Sequence, residues 1–161
     1  MVEAAGAVAD GLVGHPLFTR EYVSQVVRPA LAKGARRTGR DERVPIAGYL
    51  LCSVGTDGAA ARRAAAAQIA FYSTVKSYDA IHELHGFFPE TAAIRAAWKA
   101  GDQAGMVDAV SDRMVDAIAV AGTPDQARQQ LRERWVGVYE AGRTSPSSRS
   151  TRCPHRRSEL P

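Results

Sequence analysis

The chain has 161 residues and a mass of 17.3 kDa, enough for one domain with its own core. Hydrophobic residues make up 45% and charged residues 24%, which excludes a collagen, a disulfide-rich secreted scaffold and a wholly disordered chain. Aromatics are only 7%, too few for an extended base-stacking surface, and the net charge of +4 is localised: residues 1–142 hold 16 basic and 16 acidic residues, whereas 143–161 hold five arginines and one glutamate.

In chain order, residues 2–9 are small and tolerate a helix. Asp10-Gly11 breaks that pattern, and the apolar run that follows predicts a short strand over 11–15, stopped by Pro16. Thr19 is a good N-cap and Glu21 suits a first turn. Apolar residues at 22, 23, 26, 27, 30 and 31 then have helical spacing, so a helix is expected over 19–38 with a kink at Pro29. The run VPIAGYLLCSV, 44–54, is apolar without alternation, which predicts a strand over 45–54 buried on both faces and lying parallel beside 11–15. Cys52, inside this run, reads as a small buried residue, and Cys153 stands far from it in no metal-type spacing.

After the turn Gly55–Gly58, an alanine-rich helix is expected over 59–77, followed by helical segments at 79–85, 89–100, 102–110 and 112–120. Thr123 as N-cap and Pro124 at the first helical position open a last helix running to about Trp135. From Arg143 onward the chain is rich in Ser, Pro and Arg, a disordered composition. The division is therefore a domain over 1–142 and a basic tail over 143–161. Met1–Gly14 has no cationic leader, and no apolar run reaches the roughly 18 residues of a membrane span. The cytoplasm is the expected location.

The segments Ala9–Leu17 (ADGLVGHPL), Gly48–Gly55 (GYLLCSVG), Ala70-Phe71-Tyr72 and Val120–Asp125 (VAGTPD) occur in an order and spacing that resembles the C-terminal half of luciferase-like monooxygenases, flavin- or deazaflavin-dependent (β/α)8 barrel oxidoreductases. The Ala- and Arg-rich style looks most like members that use coenzyme F420. The resemblance covers about residues 3–135. It implies an α/β fold that is a partial TIM barrel, about the last three β/α units, helix-rich and ending in a disordered tail. Such a barrel needs about 250 residues, and the family's first five strands have no counterpart. Its closing strand would fall at Val136–Glu140, where the apolar run is short.

Barrel active sites lie at the C-terminal ends of strands. That rule selects His15 and Ser53, and with the helix start at Gly122-Thr123 these are the candidate cofactor-binding residues. The resemblance adds Tyr72 and Lys76, in the region that roofs the family's pocket, as candidate substrate-binding residues beside Tyr78 and His85. No residue is singled out as catalytic. His82 and His85 are spaced i, i+3, but no third ligand stands near, so no metal site is expected. The implied cofactor is F420, with FMN as the alternative, and the implied partner is a small-molecule substrate. Neither nucleic acid for 1–142 nor a membrane is expected, and open strand edges favour self-association. On this reading the chain is a fragment of an oxidoreductase or monooxygenase, inactive alone. The competing reading is a non-enzymatic helical interaction or regulatory protein with a basic tail.

Overall fold

The computed structural model describes residues 1–40 and 43–139. The basic tail and Cys153 lie outside the described residues. Helix α1 (Val2–Val8) leads into strand β1 (Leu12–Gly14). Thr19 then caps α2 (Arg20–Tyr22), its Oγ1 accepting the Tyr22 N–H at 3.0 Å. α2 runs on through a π-helical turn, Val23–Val27, into α3 (Arg28–Arg37). The expected kink at Pro29 takes this form: proline has no N–H for the carbonyl four residues back, and the turn just before it widens, with Arg28 N–H reaching Val23 O.

Strands β2 (Ile46–Gly48) and β3 (Leu51–Val54) follow. The single strand expected over 45–54 is thus divided at Tyr49-Leu50, because its two halves have different neighbours. β2 pairs parallel with β1, with Leu12 opposite Ile46 and Gly14 opposite Gly48. This is the parallel pairing that the two apolar runs predicted. β3 pairs parallel with β4 (Ala119–Gly122), from Leu51 opposite Ala119 to Val54 opposite Gly122. The helix expected over 112–120 ends sooner, as α8 (Asp112–Ile118), and its last residues belong to β4. Ala-Val-Ala-Gly has no strong helix or strand preference of its own, so pairing with β3 decides it.

Between β3 and β4 run α4 (Gly58–Ser73), a 3-10 turn (Lys76–Tyr78), α5 (Asp79–His85), α6 (Phe88–Lys99), α7 (Gln103–Asp108) and α8. α9 (Pro124–Gln130) continues into a π-helical segment, Leu131–Trp135. The closing strand expected at 136–140 does not form over 136–139. Gly137 takes φ +80°, Val138 N–H bonds back to Trp135 O, and Val138 is buried as part of a turn.

Two hydrophobic clusters hold these elements. One packs α4–α8 onto Leu51, Ala119 and Ala121, with Ile69, Phe87, Ile94, Met114 and Ile118 fully or nearly fully buried. Each such side chain contributes roughly 1.5–3 kcal/mol. The other joins Val23, Val27 and Leu31 to Ile46, Val120, Trp135 and Val138. α1 lies so close to α3 that a Cβ on Gly34 would stand 1.9 Å from Glu3 O.

Burial on both faces, expected for 45–54, holds only for β4, whose four residues are all buried. In β1–β3 one face is open: Val13 is 67% exposed and Val54 50%, with Ala47 and Cys52 exposed beside them and Tyr49, in the break between β2 and β3, 64% exposed. Cys52, expected to be buried, is on that face because no described segment covers it.

Candidate functional site

β1 ends at Gly14, and His15 is the next residue. Its Nδ1 accepts the Leu17 N–H at 3.2 Å, and its Nε2 lies 2.9 Å from the Tyr78 hydroxyl. An acceptor at Nδ1 requires the proton of the neutral ring to sit on Nε2, which donates to Tyr78 Oη. The His15 ring stacks on Tyr78 at 4.4 Å between centroids and meets the Tyr72 ring edge-on at 5.1 Å. Partial burial lowers the His15 pKa. Protonation would also turn Nδ1 into a donor facing a backbone donor.

The partners of His15 come from afar in sequence for a geometrical reason. α4 starts beside the end of β3 and has 16 residues, about 24 Å at 1.5 Å per residue. Its last turn, carrying Tyr72, is thereby returned to the level of β1. Lys76 opens the 3-10 turn that ends at Tyr78; it is exposed and makes no ion pair among the described residues.

A second arrangement lies at the ends of β3 and β4. Gly55 N–H donates to Gly122 O at 3.1 Å, holding the two strand ends together. Asp57 caps α4, one carboxylate oxygen accepting the N–H groups of Ala59 and Ala60 at 2.9 and 3.1 Å. Thr123 caps α9 in a reciprocal box: its hydroxyl accepts the Gln126 N–H, and Gln126 Oε1 accepts the Thr123 N–H at 2.8 Å. The donors of this helix start on Thr123 and Gln126 are therefore engaged within the turn. Gly122 needs to be glycine, with φ +137° and Gln126 Oε1 only 2.4 Å from where a Cβ would stand. Ser53, half-buried opposite Ala121, has a hydroxyl without a hydrogen-bond partner among the described residues.

The candidates thus fall into two groups. His15 meets Tyr72, with Lys76 on the adjoining turn. Ser53 stands with Gly122 and Thr123. The groups are apart because β1 stops opposite Gly48, and Ser53 lies about four residues beyond the level of His15, roughly 13 Å along the strand. Gln126, which occupies the Thr123 turn, was not singled out from the sequence, although Thr-x-x-Gln is the spacing of a capping box.

The other histidines have separate environments. His85 Nε2 lies 2.8 Å from the hydroxyl of fully buried Thr19, and its ring stacks on Phe87. Burial lowers its pKa, Arg113 adds to the effect and Glu21 opposes it. His82 is fully buried, and neither ring nitrogen has a partner. Burial pushes its pKa down to about 4, with Asp79 opposing and Arg95 and His85 assisting. Among the described residues no three His, Cys, Asp or Glu side chains are grouped as a metal site. No helix among them is long and apolar enough to cross a membrane.

The family of luciferase-like monooxygenases matches residues 1–140, and the chain belongs to that family. Within it, the chain is 35% identical over 144 residues to an uncharacterized protein of Mycobacterium tuberculosis, covering 87% of this chain and 42% of that protein. It is 33% identical to the 5,10-methylenetetrahydromethanopterin reductase of Methanolobus tindarius, covering 91% of this chain and 45% of the reductase. The solved coenzyme F420-dependent tetrahydromethanopterin reductase of Methanopyrus kandleri superposes with a TM-score of 0.64 at 26% identity, over 82% of this chain and 38% of that one. The chain spans less than half the length of these relatives.

Proposed function

We propose that the chain supplies the last three β/α units of a barrel oxidoreductase that uses coenzyme F420, FMN being the alternative cofactor. The observation that carries this reading is the likeness to an F420-dependent reductase, which extends over 82% of the chain. The open face of β1–β3 supports it, since Val13 and Val54 are apolar residues of the kind a closed barrel covers. The alternative of a non-enzymatic helical module leaves both observations without an account.

The residues present fit such a cofactor in part. Tyr72, Tyr78 and His15 offer ring faces and an imidazole, and Ser53 offers a hydroxyl and Lys76 a cation that have no partner among the described residues. The Thr123 turn fits less well, because its N–H and hydroxyl are engaged with Gln126. When bound, F420 supplies hydride transfer; this chain's residues hold and orient it and exclude water from one side of it. Tight binding and turnover require groups from several further strands held in register. The described part therefore binds the cofactor weakly by itself and turns over nothing. The substrate is a small molecule.

The test is fluorescence titration of the chain with F420 and with FMN, alone and with a polypeptide carrying the first five strands of an F420-dependent relative. Weak or absent binding alone, and F420 binding restored by the added half, is the expected result. Micromolar binding by the chain alone that disappears in His15→Ala would overturn the inactive-part reading and make His15 a ligand-binding residue. Restoration with FMN and not F420 would overturn the choice of cofactor.

A further inference from the structure

The 3-10 turn Lys76–Tyr78 and helix α5 form one continuous strap, bounded by the turn at Thr74-Val75 and by Gly86 at φ +67°. The strap is fastened to both ends of the short loop between β1 and α2. At one end Tyr78 Oη accepts from His15 Nε2 at 2.9 Å; at the other, His85 Nε2 lies 2.8 Å from Thr19 Oγ1. Tyr78, Ile81, His82 and His85 have the i, i+3, i+4, i+7 spacing of one helix face. A face that packs on a core is ordinarily apolar. Here Ile81 is the one apolar residue of the four, and His82 beside it is fully buried.

Each imidazole at this contact is kept neutral by what it touches. His15 Nδ1 accepts the Leu17 N–H, so a second proton on the ring would face a donor. Thr19 is fully buried and its Oγ1 already accepts the Tyr22 N–H. Among the described residues its own hydroxyl proton has one acceptor, His85 Nε2, which must therefore carry no proton. Neither nitrogen of His82 has a partner, so a charge there would be buried without a hydrogen bond. Burial disfavours the protonated form of all three. Around His82, Asp79 of the strap opposes this and Arg95 of α6 and His85 add to it. Around His85, Glu21 of α2 opposes it and Arg113 of α8 adds to it, while Arg20, Asp116 and Arg134 border the adjoining cavity. His15 faces the Tyr72 and Tyr78 rings.

We propose that the segment 76–85 is a strap released by acid: it docks while His15, His82 and His85 are neutral and lets go when they take up protons. Release separates Tyr78 from His15 and opens the group that includes Tyr72. The Asp79–Arg95 ion pair and the bonds from Arg113 to the His85 and Gly86 carbonyls also hold the strap, so it stays docked at neutral pH. The inference rests on the packing of α5 and is independent of the cofactor reading.

The experiment is amide hydrogen exchange of the whole chain, followed by NMR from pH 7 to pH 5, with each rate divided by the intrinsic rate at that pH. The Leu84 and His85 amides report the strap, and the Ile69 amide in α4 reports global unfolding. The strap amides should be less protected than Ile69 at every pH, through an opening that depends less on urea. His82 has a pKa of about 4 when docked and 6.5 when released, so the released form binds the proton more readily. His82 alone should make strap opening roughly twentyfold more favourable at pH 5 than at pH 7, and His15 and His85 add to this. In His82→Leu/His85→Gln, where the glutamine keeps an acceptor for the Thr19 hydroxyl, most of the pH dependence should be lost. If that variant does not fold, each single substitution must remove part of it. Strap protection that stays constant from pH 7 to pH 5 would overturn acid release. Strap and Ile69 amides sharing one protection and one urea dependence would overturn the strap as a separate unit. A pH dependence unchanged in the variants would overturn the histidines as its cause.

Discussion

The two ends of the segment 46–54 solve the same problem in different ways. At its start, beside β1, the polar atoms at the strand end are satisfied by side chains from distant elements: His15 meets Tyr78, 63 residues away. At its far end, beside β4, they are satisfied by local helix caps, Asp57 on α4 and Thr123 with Gln126 on α9. A local cap is committed as soon as its helix forms, whereas a contact between distant side chains can be exchanged for a ligand at the cost of one hydrogen bond. The His15 group is accordingly the more adaptable of the two, and the Thr123 turn the more rigid.

Backbone substitutions test that contrast most strongly. Gly122→Ala places a side chain at φ +137° and drives it into Gln126, breaking the capping box. It should cost about 2–4 kcal/mol in urea unfolding. Gly48→Ala, at the other end, points its Cβ into the Tyr139 ring at 2.2 Å, an obstacle that can swing aside. It should cost less, about 1–3 kcal/mol. Equal losses, or the reverse order, would break the distinction between a rigid rim and an adaptable foot.

Histidine 82 sharpens the comparison from within the helical layer. His15 has both ring nitrogens partnered, while His82 has neither. Its folded pKa of about 4 lies below the unfolded value of 6.5, so the unfolded chain binds the proton more readily. Its effect on stability is nil above pH 7, grows as pH falls through 6.5 and levels off below about 4, reaching about 3 kcal/mol of destabilisation. His82→Leu removes it, so the gap in unfolding free energy between variant and original should widen from pH 7 to pH 4. A gap independent of pH would mean that His82 finds a partner when protonated. At pH 7 the same variant should be more stable by about 1–3 kcal/mol, since two unpartnered buried nitrogens are replaced by carbon.

The smallest effects are expected from single polar contacts. Asp57→Ala should cost about 1 kcal/mol, mostly as fraying of the first turn of α4 seen by amide exchange. Tyr78→Phe keeps the stacked ring and loses the bond to His15, for about 0.5–1.5 kcal/mol. It should also raise the His15 pKa measured by NMR, because the freed edge of the ring becomes better solvated. An unchanged His15 titration would show that Tyr78 does not control access to that imidazole.

Much of the local structure was legible in the residues. Thr19 and Thr123 announced helix starts, the segments 79–85 and 89–100 were placed to within a residue of α5 and α6, and the apolar runs at 11–15 and 45–54 pointed to a parallel pair. These are decisions of neighbours in sequence, made by caps and by the spacing of apolar side chains. The tertiary structure alone decided the rest. Ala119–Gly122 became a strand because β3 offered it a ladder, although the sequence reads as a continuation of the helix that begins at Asp112. Cys52 became exposed because no described segment covers its face of β3, and a pattern of apolar residues cannot say what will cover it. His15 and Ser53, alike in sequence as residues that end apolar runs, were separated because the register puts the end of β1 at Gly48 and the end of β3 beyond Ser53. Register is a relation between strands, fixed by packing over both of them, and no single strand contains it.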